Sequence, residues 1–135
     1  MSLSNTTEND VLQMLLKGVD PSWRAGTTAY LTLHTADPGE AGSAITNECA
    51  YGGYARVPIT KATFWNDGGS SFSNAVLAQW PVCTSGSETA QFFGVVTTAS
   101  GAGQLIGSGA LGANIAISAP IQPQANVGAL VVTMN

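Results

Sequence analysis

Beyond residue 26 the chain never sustains an apolar run for long before glycine, proline or an Asn/Asp cluster interrupts it. That punctuation constrains the fold more than any other feature. Turn signals recur about every 8–15 residues, and between them apolar side chains alternate with polar or small ones, the period of a strand with one buried face. Residues 29–35 alternate in this way, with Leu31 and Leu33 predicted inward. Asp37-Pro38-Gly39-Glu40 is a turn in which proline presets one dihedral and glycine supplies positive φ. Residues 40–53 read as a loop ending in Tyr51-Gly52-Gly53-Tyr54, and a strand follows over 55–59, where Pro58 predicts an edge or a strand end.

The pattern continues to the C-terminus. Asn66-Asp67-Gly68-Gly69 is a hairpin turn, 71–73 and 76–80 are extended, and Pro81 stops them. Residues 84–88 form a loop and 90–96 an apolar strand. Two further strands are expected over 104–111 and 114–118, the second with Ile115 and Ile117 on one side. Pro120 and Pro123 frame a bend, and 128–134 close the chain with Leu130, Val132 and Met134 on one face. Seven to nine or so short strands at such spacing predict an all-β fold, a jelly-roll-like antiparallel β-sandwich. No equal-period repeat is present, and the glycine interruptions exclude parallel βαβ units.

Residues 5–18 carry the one helical pattern. Asn5 is the expected cap with Glu8 as its capping-box partner, Val11, Leu12, Leu15 and Leu16 share a face, and Gly18 stops the helix. A helix of about three turns is marginal alone, so this one must dock on the sheet or on a partner. The expected organisation is an N-terminal arm with its short helix over 1–26 and a β-sandwich domain over 27–135, and 135 residues suffice for one core.

Charge is scarce and unevenly placed. Only 9% of residues are Asp, Glu, Lys or Arg, against about 25% in an average domain, and none, nor any histidine, follows Glu88. A free domain guards its exposed strands with charge, so a chargeless last third predicts a surface that a neighbour covers. Lys17, Arg24, Arg56 and Lys61 are scattered among eight acidic residues, which argues against nucleic acid as a partner. No apolar run reaches the ~18–20 residues of a membrane span, so no membrane partner is expected. The first residues, MSLSNTTEND, do not read as a secretory leader. Cys49 and Cys83 are accordingly expected as reduced, buried, small hydrophobes.

Catalytic and cofactor chemistry finds no cluster to stand on. His34 is the single imidazole, it has no nucleophile-elbow serine to serve, and it is expected at a strand surface or interface. Cys49, Cys83 and His34 lack metal-ligand spacing, and Asp37 and Asp67 are better explained as turn formers than as glycosidase or calcium carboxylates. No enzyme activity and no cofactor are predicted. Trp23, Tyr51, Tyr54, Trp65 and Trp80 fit a core, a protein interface or, as a third option, a carbohydrate platform.

The run Ala29-Tyr30-Leu31-Thr32-Leu33-His34-Thr35-Ala36-Asp37-Pro38-Gly39, followed by Gly52-Gly53-Tyr54-Ala55-Arg56, resembles a family of small tailed-phage virion structural proteins. Its members pair a short helix with this strand, this turn and this glycine-rich step, and close on a strand like Leu130-Val131-Val132-Thr133-Met134-Asn135. The specific part lies in residues 29–56, and the chain departs from the family in the chargeless turns of its last third.

The resemblance implies a virion structural protein without enzymatic activity. The expectation that follows is a head decoration, or cement, protein on the capsid surface. It would be assembled in the host cytoplasm, act as a trimer or dimer, and have the major capsid protein as partner. A tail component, fibre-like or adaptor, is the alternative, and a carbohydrate-binding module comes third. Val11, Leu12, Leu15, Leu16 and Trp23 are the expected interface residues.

Overall fold

The computed structural model describes residues 2–133. In chain order the elements are β1 (Ser2–Leu3), α1 (Asn5–Lys17), a 3-10 turn (Ser22–Arg24), β2 (Thr28–His34), β3 (Val57–Thr60), the short α2 (Lys61–Phe64), β4 (Trp65–Asp67), β5 (Ser71–Asn74), β6 (Ala78–Gln79), β7 (Ser87–Val96), β8 (Leu105–Ser118), β9 (Gln124–Ala125) and β10 (Val131–Thr133). Five strands form an antiparallel sheet in the order β1-β8-β7-β2-β3, three form a second in the order β10-β5-β4, and β6 pairs with β9. The fold is all-β, a jelly-roll-like antiparallel β-sandwich with one short N-terminal helix, as the punctuation predicts.

The core lies between the sheets. Ala29, Leu31 and Leu33 of β2 and Phe93 and Val95 of β7 pack with Phe64, Ala78, Trp80, Ala125 and Leu130. Trp80 is wholly buried, and its indole N–H donates to the Leu31 carbonyl at 3.3 Å, so a large apolar ring enters the core without an orphaned donor. Cys49 and Cys83 are free and buried, as expected. Burial, with Glu88 close by, pushes the Cys49 thiol up to about 12, which keeps it protonated and unreactive. Pro58 lies on the edge strand β3, opposite Tyr30, where its missing N–H costs no ladder bond. Asp67 accepts from the Gly69 N–H at 2.8 Å in the β4–β5 turn, and Asp37 does the same for Gly39 at 2.8 Å.

Three expectations change. The segments 104–111 and 114–118 are one strand, β8, not two. Between the pairs Ala90–Ile115 and Phe92–Ala110, Gln91 of β7 faces the whole of 111–114, so a large bulge, not a turn, interrupts the ladder. Of 76–80 only Ala78–Gln79 pairs as a strand. The helix cap is Ser4, not Asn5: Ser4 is extended, and its hydroxyl accepts from the Thr7 N–H at 3.2 Å. That puts Thr7, not Glu8, at the third helical position. Met134 lies outside the described residues.

His34 is the fourth change. It is completely buried, not at a surface. The reason is that β2 sits inside its sheet with both faces covered. Its second face, Tyr30-x-Thr32-x-His34, lies under the loop after the strand, where Ala44 packs with Val96, Leu105 and Tyr30. Gly94 of β7, paired with Thr32, makes room for this layer: a Cβ there would stand 2.5 Å from Thr32 Oγ1 and 2.9 Å from His34 Nε2. Gly94→Ala is therefore expected to cost roughly 1–3 kcal/mol by overpacking. Urea unfolding of the variant checks this, and an unchanged midpoint would show that the layer has slack.

Candidate docking surface

Helix α1 is held to the sheet by polar atoms, not by its leucines. The chain leaves β1 with the Ser4 N–H donating to Ile106 O at 3.0 Å, and the Asn5 N–H donates to Glu40 O at 2.9 Å. Thr7, buried, donates to Leu105 O at 3.5 Å. Gln104 Nε2 donates to Thr7 Oγ1 and to Asp10 Oδ2, both at 3.0 Å. Trp23 Nε1 donates to the same Asp10 oxygen at 2.9 Å, and Lys61 Nζ donates to the Trp23 carbonyl. Thr7 and Asp10, three apart on one face, thus form the inward stripe.

The apolar stripe points away. Leu12, Leu15, Leu16 and Val19 are 55%, 70%, 78% and 47% exposed, at the offsets of one helical ridge. Gly18, at φ 66°, ends the helix, and Val19, exposed, follows just past it. Among the expected interface residues, Leu12, Leu15 and Leu16 are brought together here. Val11 is half-buried, and Trp23 is tied to the inward stripe by Asp10. Val19 was missed by the sequence reading, although it lies seven residues after Leu12. The chargeless last third adds further exposed aliphatics in Ile121, Val127 and Val131.

A second constellation went unread in the sequence. Arg56 and Glu48 form a bidentate ion pair, Nε–Oε2 at 2.8 Å and Nη2–Oε1 at 2.9 Å, with the two side chains 3% and 12% exposed. Arg56 also donates to Thr98 O at 2.9 Å, Thr98 Oγ1 at 3.0 Å and Gly101 O at 2.6 Å, so every donor of the guanidinium is engaged. Tyr54 donates to Glu48 Oε2 at 2.8 Å and accepts from the Leu33 N–H at 3.3 Å. Burial, then the bond to Glu48, raises its phenol far above the ordinary range. Glu88 accepts from the Ala50 and Tyr51 N–H groups at 2.8 and 2.9 Å.

The glycines before Tyr54 serve the same clasp. A Cβ on Gly52 would meet Ser85 Oγ at 2.0 Å, and Gly53 has φ 91°. The step Gly52-Gly53-Tyr54-Ala55-Arg56 is therefore a clasp that fastens the long loop to β2 and to the β7–β8 turn. The cleft beside it, about 390 Å³, offers no unengaged donor on Arg56 to a ligand.

His34 sits at the other end of this loop. Its Nδ1 donates to Thr46 O at 2.8 Å, which leaves Nε2 to accept from Thr32 Oγ1 at 2.7 Å, the neutral tautomer. Burial holds its pKa below 6.5, outweighing the opposing pull of the Thr46 carbonyl and Glu48. Among the described residues, no group of three His, Cys, Asp or Glu side chains is placed to hold a metal ion, and no helix is long and apolar enough to cross a membrane. The aromatic residues do not share one face: Trp80 and Tyr51 are buried, Trp65 packs edge-on to Phe64 at 4.9 Å, and Trp23 is bonded to Asp10.

A small β-sandwich with its buried charges clasped internally and an apolar ridge turned outward has the form of a structural subunit. Residues 2–133 match the family described as podophage GP4 fiber I protein gp80, and the chain belongs to that family. It is a phage virion structural protein, as the resemblance over residues 29–56 implies. No curated protein matches the chain.

Two outcomes follow, one for the clasp and one for His34. Glu48→Ala leaves Arg56 buried without its partner and is expected to cost roughly 3–5 kcal/mol in denaturant unfolding. A loss under about 1 kcal/mol would mean that the pair acts as an exposed one. The stability owed to neutral His34 is complete above pH 6.5, the unfolded value, and falls as pH drops through the lowered folded value. Melting temperature should decline with acid below that point, and His34→Gln should flatten that part of the profile. An equal slope in the variant would assign the acid loss to the carboxylates.

Proposed function

We propose that this protein is a non-enzymatic adhesive subunit on the outer surface of the phage particle. It decorates the capsid and stabilises the head by bridging major capsid protein subunits. The observation that carries this reading is the outward ridge of Leu12, Leu15 and Leu16, with Val19 just past its end, on a helix already anchored by its opposite face. Burying an aliphatic side chain is worth about 1.5–3 kcal/mol, so a partner covering this ridge gains binding energy without first having to order the helix. A subunit that binds the assembled shell but not its free components stabilises the shell by mass action, and copies joined as a dimer or trimer gain from multivalency. The charge-poor last third suits a surface that neighbours cover.

A second reading has its own support. The family's description is that of a fibre protein, which favours a fibre-like or adaptor component of the tail. Both readings use the same ridge and differ in the partner. Antibody labelling of intact particles separates them, since label over the head supports decoration and label confined to the tail replaces it. The carbohydrate-binding option is weakened by Trp80 and Tyr51, which a platform would need at the surface.

The ridge is tested by Leu15→Asp with Leu16→Asp. Both side chains are solvent-exposed in the single chain, so melting should be nearly unchanged while binding to particles stripped of this protein falls about 100-fold or more. Wild-type binding by the folded double variant would remove α1 as the docking surface.

A further inference from the structure

Part of the larger sheet's inner face lies open at a cleft. Leu31, Val95, Gly107 and Leu3 are paired in turn across β2, β7, β8 and β1, so their side chains share that face, as does Ala29 two residues before Leu31. The cleft over them has two halves, which meet at Ile106 of β8. One half, about 180 Å³, is apolar: Leu3, Val95 and Ile106 come from the larger sheet, and Trp65, Phe72 and Val132 from the smaller. The other, about 290 Å³, reaches past Ala29 to the 3-10 turn and is lined there by Ser22, Trp23, Lys61 and Thr97. Trp65 follows Lys61 by four residues across α2, so one short helix supplies a wall to each half.

Lys61 stands apart from the other cations. Arg56 and Arg24 are in ion pairs with Glu48 and Asp20, and Lys17 is exposed. Lys61 is half-buried and donates to the Trp23 carbonyl, and among the described residues no carboxylate lies within ion-pair distance of it. An ammonium has three donors, so this one can serve a further acceptor. A partner that covers the cleft must bring Lys61 an anion or leave a buried charge with a carbonyl alone.

We propose that the cleft takes an extended segment of a neighbouring protein chain in which a large apolar residue and an acidic one stand two residues apart. The apolar side chain fills the half beside Trp65, and the carboxylate pairs with Lys61. Side chains two apart in an extended segment share a face and are spaced by about 6.5 Å, close to the one-turn separation of Lys61 from Trp65. The uncharged half sets the first requirement, and the unpaired ammonium sets the second by charge complementarity. The occupant is a protein segment because the proposed role is contact with neighbouring chains on the particle. The inference rests on that role and adds a second contact, separate from the α1 ridge.

Blocked peptides test this on the full chain by NMR, with the indole N–H signals of Trp65 and Trp23 reporting the two halves. N-acetylated, C-amidated Ser-Leu-Ser-Glu-Ser, or its reverse order, should shift both signals. The same peptide with Ser for Leu, or with Gln for Glu, should bind about ten-fold more weakly. Lys61→Met should bind the Glu and Gln peptides alike. Equal binding of the Glu and Gln peptides by the wild type would overturn the proposal, as would unshifted indole signals at about 20 mM peptide in either order. If Lys61→Met fails to fold, the comparison of peptides on the wild type decides alone. The folded double variant Leu15→Asp with Leu16→Asp keeps the cleft, so it should lose particle binding yet still bind the peptide. Peptide binding therefore fails or succeeds independently of the ridge.

Discussion

The Glu48–Arg56 pair is the contact on which the rest of the molecule depends. A sandwich whose longest connection runs from β2 to β3 must hold that loop against the sheet, and besides the core contacts of Cys49, Tyr51 and Ala44 this loop is fastened by polar bonds. The ion pair adds directed bonds to that buried area: two from Arg56 to Glu48, three from Arg56 to the β7–β8 turn, and one from Tyr54 back to Glu48. A buried pair of this kind adds little over a hydrophobic replacement, but removing one partner is costly, so its effect is to fix one loop arrangement. Once the loop is in place, it buries His34 and Ala44, closes the second face of β2 and supplies the Glu40 carbonyl that receives the start of α1.

The helix then inverts the usual arrangement. Amphipathic surface helices bury their apolar stripe against their own domain. In this chain the inward stripe is Thr7 and Asp10, satisfied by Gln104, Trp23 and the Leu105 carbonyl, and the aliphatic stripe faces out. Charged residues elsewhere are drawn into turns and clasps: Asp37 and Asp67 cap their turns, Glu88 holds two backbone amides, and Arg24 pairs with Asp20 at 2.7 Å. Much of the protein's small complement of charge is thereby spent on local structure, while the ridge and the last third stay uncharged. A virion subunit that works by contact has use for such a surface.

Much of the fold was legible because strand grammar is local. The alternation in β2, the proline on β3, the Asp67 turn and the apolar β7 all follow from neighbouring residues. What was not legible depends on distant ones. Nothing near His34 says that residues from the following loop will cover it, and nothing near 111–114 distinguishes a bulge from a turn, because that depends on register with β7. The clasp was hidden for the same reason: Arg56 meets Thr98 and Gly101 only after folding. Of the docking surface, Leu12, Leu15 and Leu16 were visible as a face, but the direction of that face was not. The periodicity of a helix shows which residues share a stripe, whereas Gln104, far along the chain, decides which stripe is turned inward.

The central claim is that α1 joins this protein to its neighbour on the particle. A cryo-electron-microscopy map of the virion that resolves side chains around this subunit tests it most directly. The account predicts that Leu12, Leu15, Leu16 and Val19 are covered by another chain, with Thr7 and Asp10 still bonded to Gln104. A map in which the subunit is held by other surfaces, with this ridge facing solvent, would contradict it.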